Sequence, residues 1–349
     1  MQAIHPHTES ARSEGARPSW PGWMKRLGRL ASRPWGSQRH GGVAALMFNG
    51  ASAALVRVEP GREPNDPLQL HAALELPAEE LSRLRDEGLC AGCRTVLVLP
   101  QDRRQLLALE RPEVPAAELP LAVRFPLAEA LEREPDQVLA TALALPRISE
   151  AGRDQVLAIG ASLPVVQEQL SALKVAGIRA RSIDVIDSAL RGMALLQARH
   201  EGGAGDDRDG RVVLAFVGHS ICIGLLWRGA FCALRSLPLP TREPRDAAEF
   251  EEHLALHIQR TTDQFERQAT HLAVRHVLAA MPSLAPDVRE SVRGSLPLSP
   301  RLFDAAEVFD GADDLLAAVA GHNDLTALAC VAAARLIDAT RGTAAEVLQ

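Results

Sequence analysis

The chain has 349 residues, 47% of them hydrophobic, which is too long for one small core and suits two lobes of ordinary domain size. A net charge of -6 and a pI near 6.0 offer no general nucleic-acid footprint, which would need a clustered basic face. No stretch approaches the roughly 18 to 20 uninterrupted apolar residues that cross a bilayer, and residues 1–19 lack the apolar core of a secretory signal, so a soluble, cytoplasmic protein is expected.

Residues 1–40 are rich in Pro, Gly, Ser and Arg and show no sustained period, which predicts a disordered basic arm. Its segment Trp23–Leu30 could form a short amphipathic turn against anionic lipid, although a solvated tail explains the same residues. The first hairpin is expected over 43–58, with Asn49-Gly50 as a type I′ turn signal. Strands follow at 71–76, 95–99 and 105–110, then a helix over 115–131 interrupted by Pro126. Two more strands, 137–145 and 155–161, precede a helix over 164–176 that Gly177 should close in the left-handed conformation. A strand over 178–183 then leads into a helix from Asp187 to Arg199.

Residues 201–210 (EGGAGDDRDG) form the clearest hinge in the sequence. They divide a first lobe, 41–200 with an inserted α/β subdomain, from a second, 211–349. The second lobe opens on a meander, 212–217, 221–227 and 231–237, whose second turn is Arg228-Gly229. A long helix over 246–269 carries Phe250, Leu254, Ile258 and Phe265 on one face. A strand at 272–279, a helical segment near 286–292 and an apolar helix over 325–337 complete the chain, giving an α/β class with mixed sheets.

One phrase occurs twice. Leu46–Ser52 and Leu214–Ser220 share the frame L-x-F-x-G-x-S, each at the bend between two apolar, β-prone runs. A strand, glycine turn and returning strand at the start of two halves is the layout of the actin-like (ribonuclease H-like) two-lobed fold. In that fold each turn approaches a phosphate, and an Asp two positions before the glycine handles the metal. Here those positions are Phe48 and Phe216, which supply no hard oxygen ligand and cannot orient a water. Gly50, Ser52, Gly218 and Ser220 keep N–H and hydroxyl donors, so weak ATP binding stays open beside the plain reading of two hairpin turns. No metal site and no catalytic residue is assigned.

Other chemistry is thin. The sequence contains no G-x-x-x-x-G-K-[ST] loop and no G-x-G-x-x-G opening a helix. Cys90 and Cys93 have the spacing of half a zinc site or a thiol pair, but no second half follows, and two small residues in a tight connection is the favoured reading. His253 and His257 lack the intervening Glu of a metalloprotease and read as helix-surface histidines. Asp184 and Asp187, between a strand and a helix, are the acids an actin-like ATPase or sugar-kinase relative would use, against a commoner role in helix capping.

The order of several short motifs carries a family resemblance. Residues 95–100 (TVLVLP), 106–115 (LLALERPEVP), 122–125 (AVRF), 143–146 (LALP), 165–177 (VVQEQLSALKVAG), 183–191 (IDVIDSALR) and 258–265 (IQRTTDQF) together resemble the MshI and PilM proteins of type IV pilus biogenesis. The similarity extends over most of residues 41–340. It implies a cytoplasmic, actin-like scaffold of MSHA-type pilus biogenesis, associated with the inner membrane through partners, and Phe48 and Phe216 make a non-catalytic one the expectation. Such proteins self-associate in a ring or platform, meet other pilus assembly proteins, and capture the cytoplasmic tail of a PilN-like bitopic membrane protein. PilM-type members bind ATP through D-x-G turns, from which this sequence departs at Phe48 and Phe216 and at residues 279–283 (AAMPS), where a Gly-Gly adenosine turn would stand. The near variant is a GspL-like adaptor of type II secretion, which would continue into a transmembrane helix.

Overall fold

The structure is a computed structural model and describes residues 41–63, 66–147, 153–202, 209–217, 220–238, 247–268, 273–281, 290, 294 and 300–346. The expected arm, most of the hinge and most of the helical segment near 286–292 fall outside these residues.

The first sheet is built on the hairpin β1 (Val43–Asn49) and β2 (Ser52–Glu59), paired antiparallel. β3 (Leu68–Pro77) adds antiparallel to β2, while β4 (Arg94–Leu99) and β8 (Ala180–Val185) add parallel on the side of β1. β4 is buried along nearly its whole length, as a central parallel strand must be when both faces are covered. The second sheet repeats this plan with β9 (Asp209–Val217), β10 (Ser220–Trp227), β11 (Ala230–Pro238), β12 (Ala273–Ala280) and β13 (Arg301–Leu302). Numbered within its own half, each sheet reads 3-2-1-4-5, so the duplicated phrase marks a duplicated fold.

β14 (Phe309–Gly311) extends the first sheet beyond β3. Between β4 and β8 the chain makes a third, antiparallel sheet, in the order β5 (Arg104–Glu110), β7 (Gln155–Ser162), β6 (Val138–Ala144). Its helices α2 (Leu119–Ala122) and α3 (Arg124–Ala130) follow the short α1 (Ser82–Asp86). The expected interruption by Pro126 is displaced to Val123. Proline has no N–H to bond the carbonyl four residues back, at Ala122, and the helix breaks just after that carbonyl.

α4 (Leu163–Val175) ends as expected, with Gly177 at φ +75°. The Ile178 N–H reaches the Leu173 carbonyl at 2.8 Å and the Gly177 N–H reaches Lys174 at 3.0 Å, the paired bonds of a Schellman cap. α5 (Ser188–His200) and α9 (Asn323–Glu346) lie between the sheets. Their side chains share one core with Val43, Ala45 and Met47 of β1 and Val213, Ala215 and Val217 of β9. The small-residue run Ala329–Ala334 lets these helices approach until a Cβ on Gly192 would stand 2.0 Å from the Cys330 carbonyl oxygen. α6 (Ala247–Gln268) covers the outer face of the second sheet through Leu254 and Ile258. α7 (Ala305–Val308), capped by the Asp304 side chain, and α8 (Asp313–Gly321), with two acids in its first turn, are further helices beyond those expected and connect β13 and β14 to α9. Among the described residues no single helix is long and apolar enough to cross a membrane.

The β1–β2 and β10–β11 turns are of different types. At the first, Asn49 pairs with Ser52 and the loop is Gly50-Ala51, with positive φ at Gly50 alone. That is the type II′ pattern, a correction to the expected I′ turn centred on Asn49-Gly50. The I′ pattern occurs at the turn between β10 and β11, where Arg228 and Gly229 have φ of 52° and 73°.

Candidate functional site

Strand alternation decides what the two phenylalanines do. Along β1, Val43, Ala45 and Met47 face the central helices, whereas Ala44, Leu46 and Phe48 face the outer layer. Phe216 likewise joins Val212 and Leu214 in the outer core of the second sheet, beneath α6. Both rings are packing residues, directed away from the helices that the sheets enclose.

The polar group at the first tip is Asn49, one residue along and so on the inner face. Its Nδ2 donates to Oδ2 of Asp324, a buried carboxylate in the first turn of α9, at 3.2 Å. Gly50 is at the turn with open space around it, and the Ser52 hydroxyl donates back to the Asn49 carbonyl at 3.0 Å. Ser220 is the first residue of β10, and Gly218 lies outside the described residues. Gly50 and Ser52 thus share one tip, and among the described residues no hydrogen bond joins that tip to Ser220.

Asp184 and Asp187 come together at the end of β8, but neither caps α5 through its side chain. The capping role expected of them gives way to long-range ion pairs. Asp187 is buried and receives Arg104 Nε at 2.8 Å and Nη2 at 2.6 Å, a two-point pair. The same guanidinium reaches Ser236 Oγ on β11 at 2.7 Å, and Cys222 Sγ on β10 lies 3.5 Å from Asp187, so this pair joins the third sheet, α5 and the second sheet. Asp184 accepts from the Val185 N–H at 2.8 Å and Ser188 Oγ at 2.6 Å with one oxygen, and from Arg335 Nε of α9 with the other. All four carboxylate oxygens of the two acids thus accept hydrogen bonds from side chains or backbone.

Beside Asp184 opens a cavity of about 350 Å³, between β6 and β7 of the third sheet and the ends of β4 and β8. Its walls are mostly apolar, with Leu99, Leu139, Leu143 and Ile159 among them. The polar wall carries two ion pairs, Asp184 with Arg335 and Arg191 with Asp338, the latter at 2.7 Å. β6 is an edge strand of its sheet, and Leu143 on it is 46% exposed. None of these partners is adjacent in sequence, and only the Asp184 end of the cavity carries a local signal.

Among the described residues no group of three or more His, Cys, Asp or Glu side chains is placed to hold a metal. Cys90 and Cys93 are free half-buried thiols, with Cys93 Sγ donating to the Cys90 carbonyl at 3.1 Å. Burial pushes the Cys90 thiol up to about 11, helped by the neighbouring Cys93. A thiol poised for redox chemistry is instead shifted down. The side chain of His253 lies outside the described residues, and His257 is half-buried on α6.

No family model matches the sequence, and no curated protein matches it. Solved structures do. The PilM-PilN type IV pilus biogenesis complex superposes with a TM-score of 0.59 at 20% identity, over 85% of this chain and 99% of that one. The cytoplasmic domain of EpsL, an inner-membrane component of the type II secretion system of Vibrio cholerae, gives 0.46 at 13% identity, over 82% and 94%. A Bacteroides thetaiotaomicron protein with an actin-like ATPase fold gives 0.45 at 9% identity, over 81% and 96%. With two sheets of the same 3-2-1-4-5 order enclosing α5 and α9, the chain has the actin-like fold.

Proposed function

We propose that the chain is a non-catalytic scaffold of type IV pilus biogenesis, of the MSHA type, that holds the cytoplasmic tail of a PilN-like inner-membrane protein. Through that partner it would sit at the inner face of the membrane and couple to other pilus assembly proteins. The observation that carries this reading is the cavity beside β6. An extended tail can add along an open strand edge by main-chain hydrogen bonds while its side chains fill apolar pockets. β6 offers the edge, Leu139, Leu143 and Ile159 the apolar wall, and the Arg335 and Asp338 pairs groups for polar ends. The fold likeness to the PilM-PilN complex supports the same reading. The absence of catalysis is supported by Phe48 and Phe216, which pack outward where an ATPase needs oxygen ligands.

The test is fluorescence polarisation with a labelled peptide of the PilN-like protein's N-terminal tail, beside a titration with a fluorescent ATP analogue and Mg²⁺. Saturable peptide binding, reduced at least about tenfold by Leu143→Asp, is expected, because a carboxylate would stand where an apolar group docks. Leu143 is exposed, so the substitution leaves the fold intact. Metal-dependent nucleotide turnover without peptide binding would overturn the proposal.

A further inference from the structure

We propose that the basic arm of this chain docks, through Trp23–Leu30, on the outer face of the third sheet's helices, centred on Leu121 and Phe125.

These helices carry more apolar surface than their sheet covers. Leu119, Val123 and Leu127 are buried, and the last two pack with Val138, Ala140, Val156 and Ala158 of the sheet. The Val123 N–H bonds the Leu119 carbonyl at 3.0 Å and the Leu127 N–H bonds the Val123 carbonyl at 3.3 Å, so α2 and α3 stay in phase across the break between them. Glu118, Leu121, Phe125, Glu129 and Glu132, three or four positions apart, therefore form an exposed stripe on the opposite side. Phe125 is 67% exposed and Leu121 48%, and they are two of five such large apolar side chains among the described residues. One exposed apolar residue needs no explanation, whereas adjoining ones rimmed by polar groups mark a contact surface. Neither lines the cavity beside Asp184.

The rim calls for cations. Residues 113–136 hold six acids against two arginines, and Arg124 is already drawn to Asp136. Glu118 lies exposed at one end of the apolar pair and Glu129 and Glu132 at the other, and none of the three has an ion pair among the described residues.

The chain contains the complement. Residues 20–40 hold five Lys or Arg and no acid, together with Trp20, Trp23 and Trp35. Trp23, Leu27 and Leu30 fall at the spacing of one helix face, with Lys25, Arg26 and Arg29 between them. Laid along the stripe, this segment would set an indole against the Phe125 ring and bring basic side chains to the glutamates at both ends.

The attachment of the arm permits this within one molecule. The Gly41 N–H bonds the Gly92 carbonyl at 3.2 Å, near the start of β4, and the third sheet departs from the other end of that strand. The lengths of β4 and of one strand of the third sheet place the helices on the order of 50 Å from Gly41. The chain from Trp23 to Gly41 spans up to about 60 Å.

The test is limited trypsin digestion of the full chain, read by mass spectrometry at Lys25, Arg26 and Arg29. Cleavage of a docked segment tracks the population of its undocked state. Phe125→Ser, on an exposed side chain, should speed cleavage at these sites at least about tenfold. Raising NaCl to about 0.5 M should speed it in the unaltered chain by screening the glutamates. Trp23→Ser, made in the arm itself, should match Phe125→Ser and keeps the test decisive if that variant fails to fold. Equally fast cleavage in the unaltered chain and both variants would overturn the proposal. Protection that grows with protein concentration would overturn it in favour of a second copy's stripe, and protection seen only with phosphatidylglycerol vesicles in favour of the membrane.

Discussion

Arg104 and Asp187 are 83 positions apart and form a two-point ion pair with side chains only 9% and 1% exposed. The pair ties the base of the third sheet to the start of α5. Breaking such a pair from one side leaves the other charge buried without compensation, which typically costs about 3–5 kcal/mol, whereas exchanging both partners for apolar groups is often neutral. Asp187→Asn should therefore lower the urea midpoint sharply, and Arg104→Met with Asp187→Leu should recover much of the loss. Equal losses in the single and double variants would show that the charges do not act as a pair.

Gly192→Ala sets two known effects against each other. Alanine gains about 1 kcal/mol over glycine in a helix interior, but overpacking costs about 1–3 kcal/mol, and here the obstacle is the Cys330 carbonyl oxygen at 2.0 Å. Backbone cannot swing aside as a side chain can, so the clash should dominate and the thermal midpoint should fall. Gly321→Ala, in α8 with nothing within 4 Å of the added Cβ, is the control and should be neutral or slightly stabilising. A rise in midpoint for Gly192→Ala would mean that α5 and α9 are not in backbone contact.

What could be read from the chain follows from which features are local. The repeated phrase, the alternating strands and Gly177 each encode their structure within a few residues, and the sheets formed there. β14 has three residues and no period, and its strand conformation comes from pairing with Leu68–Leu70 of β3, far away in sequence. The acids at 184 and 187 were legible as unusual, but their partners were not. Arg335 is 151 positions from Asp184 and Asp324 is 275 from Asn49, so no spacing rule could connect them. The face toward which Phe48 points was equally hidden, since alternation fixes relative faces and only the tertiary packing says which one meets the central helices.

Restoring the missing acid provides a direct test of that packing. Phe48→Asp recreates a D-x-G turn in sequence, yet the new carboxylate would enter the outer apolar cluster with Leu46, Leu55 and Leu97. Losing a buried aromatic ring costs about 3–5 kcal/mol before the penalty for burying an acid is added. The variant should be strongly destabilised, and a fluorescent ATP analogue with Mg²⁺ should show no gain in binding. A stable variant with new metal-dependent affinity would place this side chain on the inner face with Asn49 and refute the outward packing.

The thiol at Cys90 makes a prediction with a sign in pH. Burial, then the neighbouring Cys93, raises it from an ordinary 9.0 to about 11, and only the thiolate reacts. At pH 8 both an ordinary thiol and Cys90 are mostly protonated, and the two-unit shift lowers the thiolate fraction of Cys90 by about 100-fold relative to the ordinary one. Iodoacetamide labelling at Cys90, followed by peptide mass spectrometry, should be slow at pH 8 and rise about tenfold per pH unit without levelling below pH 10, because the thiolate population is still climbing there. A rate that levels near pH 7 would indicate a depressed thiol and return the Cys90–Cys93 pair to redox or metal chemistry.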